Sequence, residues 1–161
     1  MFIMQSDIFD FLSNNFVLTL STFDGKNPYS APLFYLFLNN VIFFLSDLNT
    51  NHSQHILKFP TVSASIFRYT RNVKEIQGVQ LMGICKFLEH TQDITENSIF
   101  IYENHRLNLK NIYDKYCEQF PEAKEIPSSL WGIFPYWIKF TNNRVRFGHK
   151  TIWRYEDDIS S

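Results

Sequence analysis

Phe16-Val17-Leu18-Thr19-Leu20-Ser21-Thr22-Phe23, then Asp24-Gly25, then Tyr29 to Leu38, Asn39-Asn40 and Val41 to Leu45, is the stretch that decides the fold class. Its apolar runs are rich in β-branched and aromatic residues, the types that fit a pleated sheet. Asp-Gly and Asn-Asn separate the runs, and such residues tolerate the positive φ that tight hairpin turns require. Three strands joined by hairpins are therefore expected, which makes them antiparallel neighbours.

Upstream, Ser6 opens a short helix as its cap. Asp7 suits the positive end of the dipole, Ile8, Phe9 and Leu12 supply an apolar face, and Asn14-Asn15 ends it. Downstream, Ser46 to Asn51 is polar and turn-forming, and His52 to Phe59 reads as a helix that stops before Pro60. Thr61 to Phe67 reads as a strand, with Val62, Ala64 and Ile66 on one face. A long strand follows around Val73 to Glu89, where Gly78 and Gly83 mark bulges or close backbone approach. From Ile94 to Phe120 the pattern predicts helix, with Leu109, Ile112, Tyr113, Tyr116 and Phe120 at three- and four-residue spacing. Two more strands, Trp131 to Thr141 and Arg144 to Phe147, flank a turn at Asn142-Asn143. About six strands with hairpin connections predict an antiparallel barrel, because a parallel sheet would need helices between most strands.

The 161 residues suit one domain spanning 1–161, and 45% apolar residues with 17 Phe and 8 Tyr provide ample core. Fifteen basic against sixteen acidic residues leave a net charge of -1, without the basic surplus that a sequence-independent nucleic-acid binder normally shows, so no nucleic-acid partner is expected. No apolar run approaches the ~20 residues that span a bilayer, so no membrane partner is expected. Met1 to Phe11 lacks the basic start and cleavage site of a signal peptide, and a cytoplasmic location is expected. Cys85 and Cys117 lie far apart, outside any CxxC arrangement, which argues against a disulfide framework or zinc.

The chain contains no GxSxG elbow, HExxH helix, Walker loop or GxGxxG fingerprint. His52 and His55 have a spacing at which both can touch one metal, but acidic or thiol ligands are missing nearby and no metal is predicted. Glu75, Glu89 and Glu103 read as solvated side chains. The informative polar cluster runs from Ser46 to His52. It reads either as a plain helix cap by Asn49 or Thr50, or as an anion site. In the second case Ser46, Thr50, Asn51 and His52 converge with free N–H groups at the helix start.

The run Phe44-Leu45-Ser46-Asp47-Leu48-Asn49-Thr50-Asn51-His52-Ser53-Gln54-His55-Ile56 resembles the FMN phosphate loop of the pyridoxamine 5′-phosphate oxidase-like split-barrel family. Tyr29 to Tyr35 is similar to the family strand that runs along the isoalloxazine edge, and Thr61 to Phe67 to the strand after the helix. Gly78-Val79-Gln80, Ile138 to Asn143 and Phe147 to Trp153 resemble a subgroup of small bacterial members. The resemblance implies a mostly β fold with peripheral helices, an antiparallel six-stranded split β-barrel of the FMN-binding type. It implies a homodimer with FMN at the interface and a small-molecule redox substrate. By position, Ser46, Thr50, Asn51 and His52 would surround the phosphate, while Ser30, Ala31, Pro32 and Leu33 would line the ring. Gln77 or Gln80 would reach the ring's polar edge, and Lys150 and Trp153 would come from the partner subunit. Tyr35 and Trp153 would shape access to the ring.

Asn51 and His52 stand where the family often carries Arg and Lys, and a neutral amide with a part-time cation holds a dianion less firmly. On this basis His52 is expected to hold the phosphate better as pH falls from about 8 to about 6. The C-terminal Arg-x-His element of the true oxidases is absent, so vitamin B6 oxidation is not expected. The leading expectation is an FMN-dependent oxidoreductase. The alternatives are a haem-binding or haem-utilisation split barrel, with His52, His55 or His149 as ligand, or a non-catalytic dimer.

Overall fold

The computed structural model describes residues 4–155. β1 (Val17–Phe23) and β2 (Pro28–Phe34) form the first hairpin, with Gly25 at φ 99° and Asp24 Oδ1 accepting the N–H groups of Lys26 and Asn27. β3 (Leu36–Leu38) and β4 (Val41–Ser46) form the second, turning at Asn39 and Asn40, both at positive φ. Both turns thus use the chemistry the sequence offers. The expected strand Tyr29 to Leu38 is divided at Tyr35. Its N–H donates to the Phe16 carbonyl, while its buried side chain donates from the hydroxyl to the Leu12 carbonyl at 2.8 Å.

That division closes the barrel. β2 pairs with β1, β3 pairs with β4, and the sheet order is β2-β1-β5-β6-β9-β4-β3, with β5 (Thr61–Phe67), β6 (Gln77–His90) and β9 (Ser129–Asn142) between them. The two ends of this order are consecutive in the chain, so the sheet curls until they meet at Tyr35. β9 pairs with β4 along Ser129 to Ile133 and with β10 (Lys150–Arg154) along Trp137 to Thr141. Among the described residues the sheet has eight strands, more than the six expected. The final strand lies later than Arg144 to Phe147. Asn143 ties the intervening loop by donating to the Val73 carbonyl and accepting from the Gly148 N–H.

Two cores flank the sheet. β4 feeds both: Ile42 and Phe44 enter the barrel interior with Leu18, Leu20, Trp131 and Ile138, while Val41 and Phe43 enter a second cluster with Leu107, Ile112 and Phe134. A strand buried on both faces loses the polar alternation, which explains the unbroken run Val41 to Leu45.

The second cluster is covered by α3 (Leu109–Gln119) and by a hairpin of β7 (Ile99–Tyr102) and β8 (His105–Asn108). Helix was expected from Ile94. Only its second half is helical, because Phe100 and Tyr102 repeat with period two and Asn108 caps α3 by accepting the Asn111 N–H. α1 (Ser6–Ser13) has Gln5 at its N-cap, so Ser6 is its first helical residue rather than its cap. Asp7 instead accepts from Thr151 Oγ1 at 2.6 Å, tying α1 to β10. No helix among the described residues is long and apolar enough to cross a membrane.

Candidate functional site

The end of β4 and the start of α2 (Asn51–Lys58) form a polar cluster where three of the predicted residues, Ser46, Thr50 and His52, meet. Ser46 Oγ lies 2.6 Å from His52 Nε2, and Thr50 Oγ1 lies 3.2 Å from the same nitrogen and 3.3 Å from Ser46 Oγ. Thr50 is also the helix cap, accepting the Ser53 N–H at 3.3 Å. Capping and convergence therefore coexist in one residue. The Ser46 carbonyl accepts from Trp131 Nε1 at 3.1 Å, which fixes the strand end. Asn51 is exposed at the first helical position, where backbone N–H groups have no intrahelical partner.

His52 is a buried group here rather than a surface cation. Burial holds its imidazole below the ordinary histidine range, and the nearby His55 pushes the same way. The expected phosphate-holding cation is thereby displaced to lower pH. His55 turns away from His52: its Nδ1 lies 3.0 Å from Thr22 Oγ1 and its ring meets Tyr29 edge-on. The two histidines thus serve different neighbours.

A depressed histidine pKa has a stability consequence of definite sign. The unfolded chain binds the proton more readily, so stability is full above the unfolded pKa near 6.5 and is lost as pH falls towards the lower folded value. His105, also lowered by burial, acts in the same direction. Thermal melts at pH 7.5 and 5.5 should show a smaller acid-induced loss for His52→Gln than for wild type. Equal losses would show that His52 does not change its protonation on unfolding.

The ring-lining prediction divides by strand alternation. Ser30 and Pro32 are exposed, whereas Ala31 is buried and Leu33 packs against the barrel core. Cross-strand register carries the outward face across the sheet: Ser30 opposes Ser21, Ser21 opposes Ser63, and Ser63 opposes Met82. One row over, Pro32, Thr19, Ser65, Gln80 and Lys139 are aligned. Ser21, Ser63, Ser65, Gln80 and Trp137 line a shallow cavity of about 420 Å³ on this face. Small hydroxyl side chains there leave room for a flat ring to approach the sheet. The serine platform was missed by sequence reading, since only the register of β1, β5 and β6 assembles it.

Several predicted residues lie elsewhere. Gln77 pairs with Asn142 at another end of the sheet and is bonded to Asn142 and Arg68. On β10, Lys150, Ile152 and Arg154 are exposed while Trp153 is turned into the barrel core. Trp153 and Tyr35 are thus core residues, and neither shapes access to a ring from the surface. A second serine–histidine contact, His90 Nδ1 to Ser129 Oγ at 3.0 Å, sits beside the first because Ser46 opposes Ser129 and Ser129 opposes His90. No local sequence signal joins these distant residues.

No family model matches the chain. A UPF0306 protein of Yersinia pseudotuberculosis is 30% identical over 145 residues, covering 89% of this chain and 88% of its own length. Among solved structures, a haem-binding protein from Mycobacterium smegmatis matches with TM-score 0.71 at 14% identity. That match covers 98% of this chain and 62% of that one. An FAD-binding protein from Mesorhizobium loti matches with TM-score 0.61 at 14% identity, covering 86% and 92%. A structure from Listeria innocua named for pyridoxamine 5′-phosphate oxidase matches with TM-score 0.60 at 13% identity, covering 83% and 94%. These likenesses show the fold: the chain is a split barrel of the pyridoxamine 5′-phosphate oxidase-like type, a fold whose members include flavin and haem binders.

Proposed function

The chain belongs to the UPF0306 family, and from that premise we propose that it is an FMN-binding oxidoreductase acting as a homodimer. The observation that carries the proposal is the convergence of Ser46, Thr50 and the α2 start at one end of β4. There, the N–H groups of the α2 start, and the Ser46 and Thr50 hydroxyls on exchanging their present partners His52, Asp47 and Ser53, would offer neutral donors to a phosphate. The donor set fits such a group without an ion pair. The outward serine platform beside Gln80 and Trp137 fits a planar ring. Positive charge missing from the loop is present on the outer face of β9 and β10, as Lys139, Lys150 and Arg154. A second copy facing that surface would bring these cations towards the cofactor.

FMN, when bound, would supply the redox chemistry itself. The chain's own part is to fix and shelter it. Thr50 and the helix start hold the phosphate end, Trp131 locks the Ser46 carbonyl in place, and the platform excludes water from one ring face. The haem reading has less support at His52, which is buried with its Nε2 between Ser46 and Thr50, and it falls to His55 or His149 as ligand.

Thr50→Ala is expected to weaken FMN by about 1.5–3 kcal/mol, the range for a hydrogen bond to a charged group. Riboflavin, which lacks the phosphate, should bind the variant and the wild type alike. Titration of both ligands checks this. Equal losses would assign Thr50 to the helix cap alone, and a Soret band in place of flavin absorption on cofactor loading would overturn the flavin reading. Sedimentation of the loaded protein as a monomer would remove the interface site.

A further inference from the structure

Beyond the serine platform, further along β6 and β9, the tip of the β7–β8 hairpin borders an open cavity of about 140 Å³. Its walls include Tyr102, His105, Phe134, Tyr136 and Tyr155, and Glu103 stands at its margin. That volume is close to the ~150 Å³ that holds one benzene molecule, so the space suits a compact group of that size. The rings are ordered rather than merely adjacent. Tyr102 meets Phe134 edge-on at 4.7 Å between centroids, His105 meets Phe134 at 5.2 Å, and Asn104 donates to the Tyr155 hydroxyl at 3.3 Å.

Two observations point to a cation. Lys86 Nζ lies 4.4 Å from the centroid of Tyr102, so the cluster already attracts one ammonium to a ring face. More telling is the hairpin turn, where Tyr102 opposes His105 and Glu103 adopts φ 52°. The β3–β4 turn fills its left-handed positions with Asn39 and Asn40, residues suited to them. At Glu103 the same conformation is imposed on a side chain that resists it, and strain of this kind persists where surrounding structure enforces it, often at ligand clamps. The residue so held is an exposed carboxylate beside four aromatic side chains.

We propose that this cavity binds a small organic ammonium cation, of the quaternary or methylated class, between the aromatic walls and the Glu103 carboxylate. The rings supply the desolvated, quadrupolar surface, and Glu103 supplies the countercharge. Lys86 limits the site to one modest cation, because a like charge stands nearby.

The test is calorimetric titration with choline and with its neutral isostere, 3,3-dimethylbutan-1-ol. Choline should bind at least about fivefold more tightly, the margin that cation–π attraction and a carboxylate supply. Glu103→Gln should remove about that factor. Glu103→Gly should remove it too, while melting no lower than wild type, because glycine adopts positive φ without strain. The melt shows that lost binding is not lost folding. Equal affinity for the two probes, unchanged choline binding by both Glu103 variants, or no choline binding by wild type would each overturn the assignment.

Discussion

Trp131→Ala is expected to cost about 3–5 kcal/mol of folding stability, the range for removing a large buried aromatic. Trp131 is fully buried, stacks nearly parallel on Phe44 at 6.2 Å between centroids, and meets Phe87 edge-on at 5.6 Å. It sits on β9 opposite both β4 and β6, so the cavity opens where three strands meet and neighbouring rings cannot easily collapse into it. The indole N–H also holds the Ser46 carbonyl, and that bond is lost with the ring. At the ~2–4 °C per kcal/mol usual for chains of this size, the melting temperature should fall by about 6–20 °C. Trp131→Phe separates the two contributions. It keeps much of the ring and removes only the donor, so its loss should be nearer 1–3 kcal/mol, about the cost of an unsatisfied buried acceptor. If Trp131→Ala melts within about 2 °C of wild type, the indole is not a keystone of this sheet.

Gly83→Ala should also be damaging, though less so and for a different reason. A Cβ at Gly83 would stand 2.6 Å from the Phe134 carbonyl oxygen and 3.0 Å from Ile133 Cγ2. The first obstacle is backbone, which cannot swing aside as a side-chain tip does. Gly83 also lies at the register shift where β6 and β9 pass from pairing Met82 with Trp137 to pairing Gly83 with Pro135. Separating these strands disturbs the longest ladder in the protein. A loss of about 1–3 kcal/mol is expected, the usual cost of overpacking. Gly78→Ala provides the comparison, since its Cβ would meet the Ile66 carbonyl at 3.2 Å, a contact small shifts relieve. Chemical denaturation of both variants should rank Gly83→Ala clearly below Gly78→Ala. The reverse order would mean that the bulge opens without cost.

The hairpins at Asp24-Gly25 and Asn39-Asn40, α2 ending before Pro60, the periodic helix around Ile112 and Tyr116, and the close approach at Gly83 were all legible in the sequence. Each depends on residues near one another in the chain. Turn residues choose φ, proline forbids a donor, and a missing Cβ admits a neighbour, so a few positions suffice. The polar cluster from Ser46 to His52 was legible for the same reason. Thr50 caps α2 and also reaches Ser46 and His52, so the cap reading holds and the convergence of these side chains stands beside it.

Tertiary structure alone decided the rest. Ile94 to Asn108 carries enough apolar residues for helix or strand, and the choice fell to a hairpin because it covers Val41, Phe43 and Phe134 on the second face of the sheet. His52 reads as a titratable surface group until the end of β4 buries it against Ser46, where desolvation favours the neutral form. Trp153 reads as an exposed contact until β10 pairs with β9 in the register that turns it inward. The serine platform exists only because Ser30, Ser21 and Ser63 come from three strands aligned side by side. Local sequence sets what each segment prefers. Which face of a strand is buried, and which distant side chains share it, follows from a register fixed only when the whole sheet closes.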